Sequence, residues 1–206
     1  MIPYGKHSIS ITDVIAVVKQ MLTSTLTQGS RISELEKSIA SFVGSKYAVA
    51  VSSGTAGLHL SLLSLNLPAA SRVLTSPISF VSSSNAALYC NLEPKFVDID
   101  SEYIAMDENL VLQEIKTDEQ ISAIVPVHFG GFATDLSKIF KESRKKDIKI
   151  IEDAAHALGA KYPDGTFVGS CRNSDLTVFS LHPVKTITSG EGGIITTNNE
   201  ILYRKL

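Results

Sequence analysis

The sequence has no tryptophan and only two cysteines in 206 residues. Cys90 and Cys171 stand far apart and form no CxxC pair. Neither a disulfide framework nor a thiolate metal site is therefore expected, and a reducing cytoplasm is the expected compartment. No apolar run approaches the roughly 20 residues that a membrane span needs. The opening MIPYGKHSISITD also lacks the apolar stretch of a secretory leader. Charge is close to balanced, at −2, which gives no electrostatic reason to expect nucleic acid or an anionic membrane as partner. HExxH, Walker and GxGxxG patterns are missing too, which weakens metalloprotease and nucleotide-cofactor readings. There is no internal repeat and no low-complexity segment.

What is present is enough apolar residue for a real core: 44% of the chain is hydrophobic and 19% charged. Residues 11–22 place Ile11, Val14, Ile15, Val18 and Leu22 on one helical face. A break at LTQGS precedes a second amphipathic helix over 32–43, carried by Ile32, Leu35, Ile39 and Phe42 and stopped by Gly44. From Lys46 a rhythm sets in. KYAVAVS, RVLTS, KFVDI, ISAIVPV, IKIIED, DLTVFSL and GIITT read as strands. Helices are expected over TAGLHLSLLSL and SFVSSSNAALYC and near 107–116 and 134–145. Short, nearly continuous apolar runs alternating with helices imply buried, mainly parallel strands, hence an α/β fold with helices on both faces of the sheet. The expected division is a helical segment over 1–45 and a large domain over 46–206. The closing EILYRKL reads as the first turns of a helix, so a further C-terminal domain is expected beyond it.

In open α/β sheets ligands gather outside the carboxyl ends of the strands. KYAVAVS is followed by Ser52-Ser53-Gly54-Thr55-Ala56-Gly57 at a helix start, where free N–H groups and the dipole suit a phosphate. RVLTS is followed by Phe80, an aromatic that can stack on a planar ring. IKIIE is followed by Asp153 and, one turn on, His156; an acid ending a buried run needs a partner, and a cationic ring nitrogen would serve. DLTVFSL leads into SLHPVKTITSGEGG, where Lys185 could act as a nucleophile if burial lowers its pKa. Singly, each has an ordinary explanation: an N-cap, a core phenylalanine, a capping aspartate, a solvated lysine. Together they are the parts of a pyridoxal phosphate site. His128, His156 and His182 with Asp153 raise a metal-site alternative, but their spacing fits no usual ligand pattern.

Six stretches in order carry a resemblance: LTQG (26–29), YAVAVSSGTAGLHL (47–60), SPISF (76–80), FVDID (96–100), IEDAAHALGA (151–160) and FSLHPVKTITSGEGG (179–193). With them the chain resembles the DegT/DnrJ/EryC1/StrS sugar aminotransferases, which have the fold type I pyridoxal-phosphate architecture. IPYGKHSI, ALYC and GSCRNSDLTVFSLHPVKTITSGEGG are most similar to the branch serving pseudaminic acid synthesis.

The resemblance implies that Lys185 forms a covalent imine with pyridoxal 5'-phosphate and that Asp153 pairs with the pyridine nitrogen. Phe80 would stack on the ring, and His156 would lie on its hydroxyl side. Thr55, Ala56 and Ser180 would bind the phosphate. Tyr4, Thr27, Gln28, Gly29 and Ser53 would meet the nucleotide-sugar. The implied reaction moves an amino group, usually from glutamate, to C4 of a UDP-linked 4-keto-6-deoxy-N-acetylhexosamine, in a homodimer. In family dehydratases a histidine stands where Lys185 stands, so lysine favours transamination. Family members are nearly twice this length, so a small C-terminal domain is expected to be missing here. An inactive or merely cofactor-binding fragment, a C3 aminotransferase of the same family, and a metal-dependent hydrolase using the histidines are the alternatives.

Overall fold

The computed structural model of the chain describes residues 8–23 and 25–206. Seven strands form one sheet: β1 (Tyr47–Val51), β2 (Arg72–Thr75), β3 (Glu93–Phe96), β4 (Ile121–Val125), β5 (Lys149–Asp153), β6 (Leu176–Ser180) and β7 (Gly193–Thr197). Their spatial order is β1-β7-β6-β5-β4-β2-β3. The pairs from β3 through β6 are parallel, while β7 runs antiparallel to both β6 and β1. That reversal matters for the site. It sets Gly193, the first residue of β7, opposite Ser180 and Val51, the last residues of β6 and β1. The loop between β6 and β7 therefore stands on the carboxyl edge.

Alternation along each strand divides the core between two faces. Val73, Ala123, Ile151, Val178 and Ile195 pack with Leu58 and Leu62 of α3 (Gly54–Ser64), Ala86 and Ala87 of α4 (Ser82–Tyr89) and Leu202 of α7 (Glu200–Lys205). Their strand neighbours turn the other way. Phe179 and Ile194 meet Ile39 and Val43 of α2 (Ser30–Val43). Leu74, Ile124 and Ile150 meet Val111 and Ile115 of α5 (Glu108–Thr117) and Ile139 of α6 (Ser137–Lys145). Gly57 makes the α3 contact close: a Cβ there would lie 2.7 Å from Val178 Cγ1.

Several expectations need correction. The strand read as KFVDI is Glu93–Phe96; it lies at the sheet edge and holds Pro94, which lacks the N–H that a central strand must donate. The helix expected near 134 starts at Ser137, and the one expected from Ser79 starts at Ser82. Helix α1 (Ile11–Thr23) exists, but its apolar stripe is not buried: Ile11 and Leu22 are 72% and 79% exposed. Among the described residues nothing covers it. In α2, Ile39 and Val43 are buried while Ile32 and Phe42 are exposed, so only its second half is core. Gly44 does end α2, in the left-handed conformation at φ 80°, with its N–H donating to the Ala40 carbonyl. No helix among the described residues is long and apolar enough to cross a membrane.

Candidate functional site

The carboxyl ends of β1, β5 and β6 and the start of β7 converge on one cleft of about 390 Å³. At its β1 side the chain turns straight into α3. Ser53 is the N-cap, extended at φ −166°, and its Oγ accepts from Ala56 N at 3.1 Å. The N–H groups of Gly54 and Thr55, in the first turn, have no acceptor within the helix. They form an anion-seeking edge strengthened by the helix dipole. Two backbone approaches keep this edge open to the cleft. A Cβ on Gly193 would stand 2.7 Å from the Ser53 carbonyl, and one on Gly54 would stand 3.1 Å from Ser180 Cβ. Thr55 and Ser180 line the cleft beside the helix start. Ser180 Oγ accepts from His182 N at 3.4 Å, which leaves its own proton to donate.

Asp153 ends β5 and is 4% exposed. Its Oδ2 accepts from Ser83 Oγ at 2.6 Å and its Oδ1 from Ala155 N at 3.2 Å. No cationic side chain among the described residues forms an ion pair with it. A carboxylate offers about four lone-pair sites, and these two donors leave capacity for another. A buried carboxylate with no direct salt bridge, on a cleft wall, favours a cationic N–H donor.

Lys185 is half-buried in the β6–β7 loop, its backbone N donating to the His182 carbonyl at 2.9 Å. Burial pulls its ammonium below the ordinary 10.5, against the opposing pull of Asp153. Burial also lowers the His156 imidazole from 6.5; the Lys185 charge adds to that and Asp153 resists it. Phe80 is 71% exposed and faces the same cleft. It is a wall aromatic and not a core residue. The His156 ring meets the Phe129 ring edge-on, at 6.4 Å and 62°.

Seven of the residues assigned to cofactor or nucleotide-sugar thus line one cleft: Ser53, Thr55, Phe80, Asp153, His156, Ser180 and Lys185. Ala56 does not line it, and its N–H is already engaged by the Ser53 cap. Thr27, Gln28 and Gly29 stand at the entrance to α2, where Gly29 is the N-cap, and do not line the cleft. Tyr4 lies outside the described residues. His128 and His182 line the cleft as well, but among the described residues no three His, Cys, Asp or Glu side chains are grouped so as to hold a metal ion. His128 is 1% exposed, with Nε2 on Glu152 at 2.6 Å and Nδ1 accepting from Thr134 N. His182 lies 3.9 Å from Glu191.

Two groups, Ser83 and Phe129, went unread in the sequence. Ser83, bonded to Asp153, was hidden among three consecutive serines that look like an ordinary helix start. Phe129 lines the cleft, as does Glu191, the carboxylate of the SLHPVKTITSGEGG loop. Phe129 had a signal, since it follows the ISAIVPV strand by two residues.

Comparison with known proteins agrees with this geometry. The family model described as the DegT/DnrJ/EryC1/StrS aminotransferase family matches residues 9–206. The UDP-4-amino-4,6-dideoxy-N-acetyl-beta-L-altrosamine transaminase of Campylobacter jejuni is 36% identical over the whole of this chain and 54% of its own length. The Helicobacter pylori aminotransferase involved in the biosynthesis of pseudoaminic acid superposes with a TM-score of 0.91 at 29% identity, covering 98% of this chain and 54% of that one. A proposed sugar aminotransferase from Streptococcus pneumoniae, in its PLP-form, gives a TM-score of 0.90 at 28% identity, covering 99% and 56%. The chain therefore spans about half the length of the curated relatives it matches.

Proposed function

The chain belongs to the DegT/DnrJ/EryC1/StrS aminotransferase family, and from that premise we propose that it is the cofactor-binding part of a pyridoxal-phosphate-dependent aminotransferase of nucleotide-linked keto sugars. The observation that carries this reading is that Asp153 and Lys185 line one cleft: a buried carboxylate that forms no salt bridge, and a half-buried lysine whose charge is disfavoured. The donor set fits the cofactor. The first N–H groups of α3, with Thr55 and Ser180, suit a phosphate dianion. Asp153 suits a protonated ring nitrogen, Phe80 a ring face, and Lys185 an aldehyde carbon.

When bound, pyridoxal phosphate supplies an electron sink that labilises bonds at the carbon bearing the transferred amine. Asp153 would hold the ring nitrogen, accepting its hydrogen bond and favouring its protonated form. Lys185 Nζ, with its pKa lowered by burial, would take a proton from the substrate carbon and return it to the cofactor's former aldehyde carbon, across the nitrogen that joins them, as base and then acid. Phe80 would cover one face of the ring, and His156 would stand on its hydroxyl side.

The finer reading takes glutamate as amino donor and C4 of a UDP-linked 4-keto-6-deoxy-N-acetylhexosamine as acceptor. Its support is the identity to the Campylobacter transaminase and the residues shared with that branch. Of the residues assigned to the sugar, Ser53 is the one that lines the cleft among the described residues. Tyr4, Thr27, Gln28 and Gly29 are assigned to the nucleotide-sugar by resemblance alone, as is the homodimer, while a cytoplasmic location rests on the sparse, unpaired cysteines.

The test is an absorption spectrum with added pyridoxal phosphate, before and after borohydride, followed by peptide mass mapping. The expected result is a visible band that borohydride removes while adding the cofactor's mass to Lys185. Lys185→Ala should show neither change. Attachment elsewhere, or no band from a folded chain, would refute the reading.

A further inference from the structure

Ser83 lies in the first turn of α4, 1% exposed, and its Oγ is 2.6 Å from Asp153 Oδ2. The same Oγ is 3.3 Å from the Phe80 carbonyl oxygen and pairs with Ser79 Oγ, which is itself 3.0 Å from that carbonyl. A hydroxyl has one proton to give. A carboxylate is a stronger acceptor than a peptide carbonyl, so the Ser83 proton goes to Asp153. Ser83 is then an acceptor toward Ser79. The segment from Ser79 to Ser83, which presents the Phe80 ring to the cleft, is in this way fastened to the Asp153 side chain.

Asp153 and Phe80 come from different strand ends, yet the proposed function asks them to meet one planar ring, at its edge and at its face. We propose that Ser83 is a positioning residue that sets the Asp153 carboxylate in register with the Phe80 ring, so that both engage the cofactor at once. This role rests on the pyridoxal phosphate reading. Ser83 touches neither phosphate nor substrate; it acts through Asp153 and through the turn that carries Phe80. Ser79 supports it by donating to Ser83.

The experiment is a visible-absorbance titration of the chain with pyridoxal phosphate, comparing Ser83→Ala, Ser83→Thr, Asp153→Ala and the Ser83→Ala/Asp153→Ala pair. Losing a hydrogen bond to a charged group should weaken binding about tenfold in Ser83→Ala. Ser83→Thr, which keeps the hydroxyl, should stay within about twofold. With Asp153 already replaced, Ser83→Ala should add almost nothing, because the two losses share one route. Ser79→Ala should weaken binding in the same direction by a smaller factor, and it serves as the second probe should Ser83→Ala fail to fold.

Unchanged affinity in both serine variants would overturn the role. So would a Ser83→Ala loss that is undiminished in the Asp153→Ala background, since that additivity marks a merely structural effect. Absence of binding to the unsubstituted chain would overturn the cofactor reading, and this role with it. Binding that is indifferent to Ser83 overturns this role alone.

Discussion

Replacing Glu152 should cost this chain more stability than any other single polar substitution in its sheet. Glu152 is 1% exposed and stands next to Asp153, but alternation along β5 turns it away from the cleft. Its carboxylate takes four donors. His128 Nε2 lies at 2.6 Å and Thr177 Oγ1 at 2.8 Å, with the Tyr162 hydroxyl and Ser174 Oγ completing the set. Thr134 N donates to His128 Nδ1 at 3.1 Å, so the ring faces Glu152 with its Nε2 proton. Burial pushes the Glu152 carboxyl up, but the donors, His128 foremost, outweigh it and keep the group below its ordinary 4.5.

In Glu152→Ala all four donors lose their acceptor. Ser174 and Thr177, 3.4 Å apart, can partly satisfy each other, which leaves two orphaned donors. At about 1–3 kcal/mol each, the loss is about 2–6 kcal/mol. For a chain of this size that lowers the melting temperature by roughly 4–24 °C, at about 2–4 °C per kcal/mol. Glu152→Gln keeps the volume and one acceptor oxygen, and the hydroxyls can rotate toward its amide, so it should lose about half as much.

The pH dependence follows from the lowered folded pKa. The Glu152 contribution is fully present above the unfolded carboxyl value near 4.5 and is lost as pH falls through the folded value. Glu152→Gln should therefore have a shallower acid limb. Circular dichroism melts at neutral and acid pH measure both effects. A Glu152→Ala chain within about 1 kcal/mol of the unsubstituted one would refute the claim that this carboxylate is the hub.

Three further outcomes are expected. Lys185→Met should raise the melting temperature of the cofactor-free chain, since a half-buried cation is removed; the cost of that charge is present below the folded value and is relieved as pH rises toward 10.5, so the gain should shrink in alkali. Gly169→Ala should lose about 2–4 kcal/mol in urea unfolding: φ there is +93°, and a Cβ would lie 2.6 Å from the Phe179 ring. The hydrogen bond from Arg72, with a further one from Lys95, holds Asp118 down to about 2. Asp118→Asn should therefore be less stable than the unsubstituted chain above pH 3.8, converging with it as pH falls toward 2, and added salt should narrow the gap.

Strand ends were legible in this sequence because each candidate site residue follows an apolar run at once or within a few residues. IKIIE sets Asp153 at an edge, DLTVFSL leads to Lys185, and KYAVAVS leads to the α3 start. The direction of β7 was not legible, for GIITT is five buried residues in either orientation. The clue lay in the twelve residues between β6 and β7: they contain no helix, and a parallel return normally needs one. The stripe of α1 misled for a different reason. Periodicity reports which residues share a helix face, but not whether anything lies against that face.

The unread residues share a cause with one another. Asp153 is seventy residues from Ser83 in sequence, and the partners of Glu152 lie 10 to 25 residues away from it. A serine among serines, or a glutamate beside a more conspicuous aspartate, carries no local pattern. Only the fold says which hydroxyl reaches which carboxylate. The two acids of IIED make the point within one dipeptide. Strand alternation alone sends one to the cleft and the other to the opposite core face, where neither length of run nor composition foretells the four donors waiting for it. Asp153 keeps spare acceptor capacity toward an open cleft and is fit to meet a ligand. Glu152 has its capacity filled and is fit to hold the scaffold. Lone-pair bookkeeping, read from the structure, separates a binding carboxylate from a structural one where the sequence shows two adjacent acids.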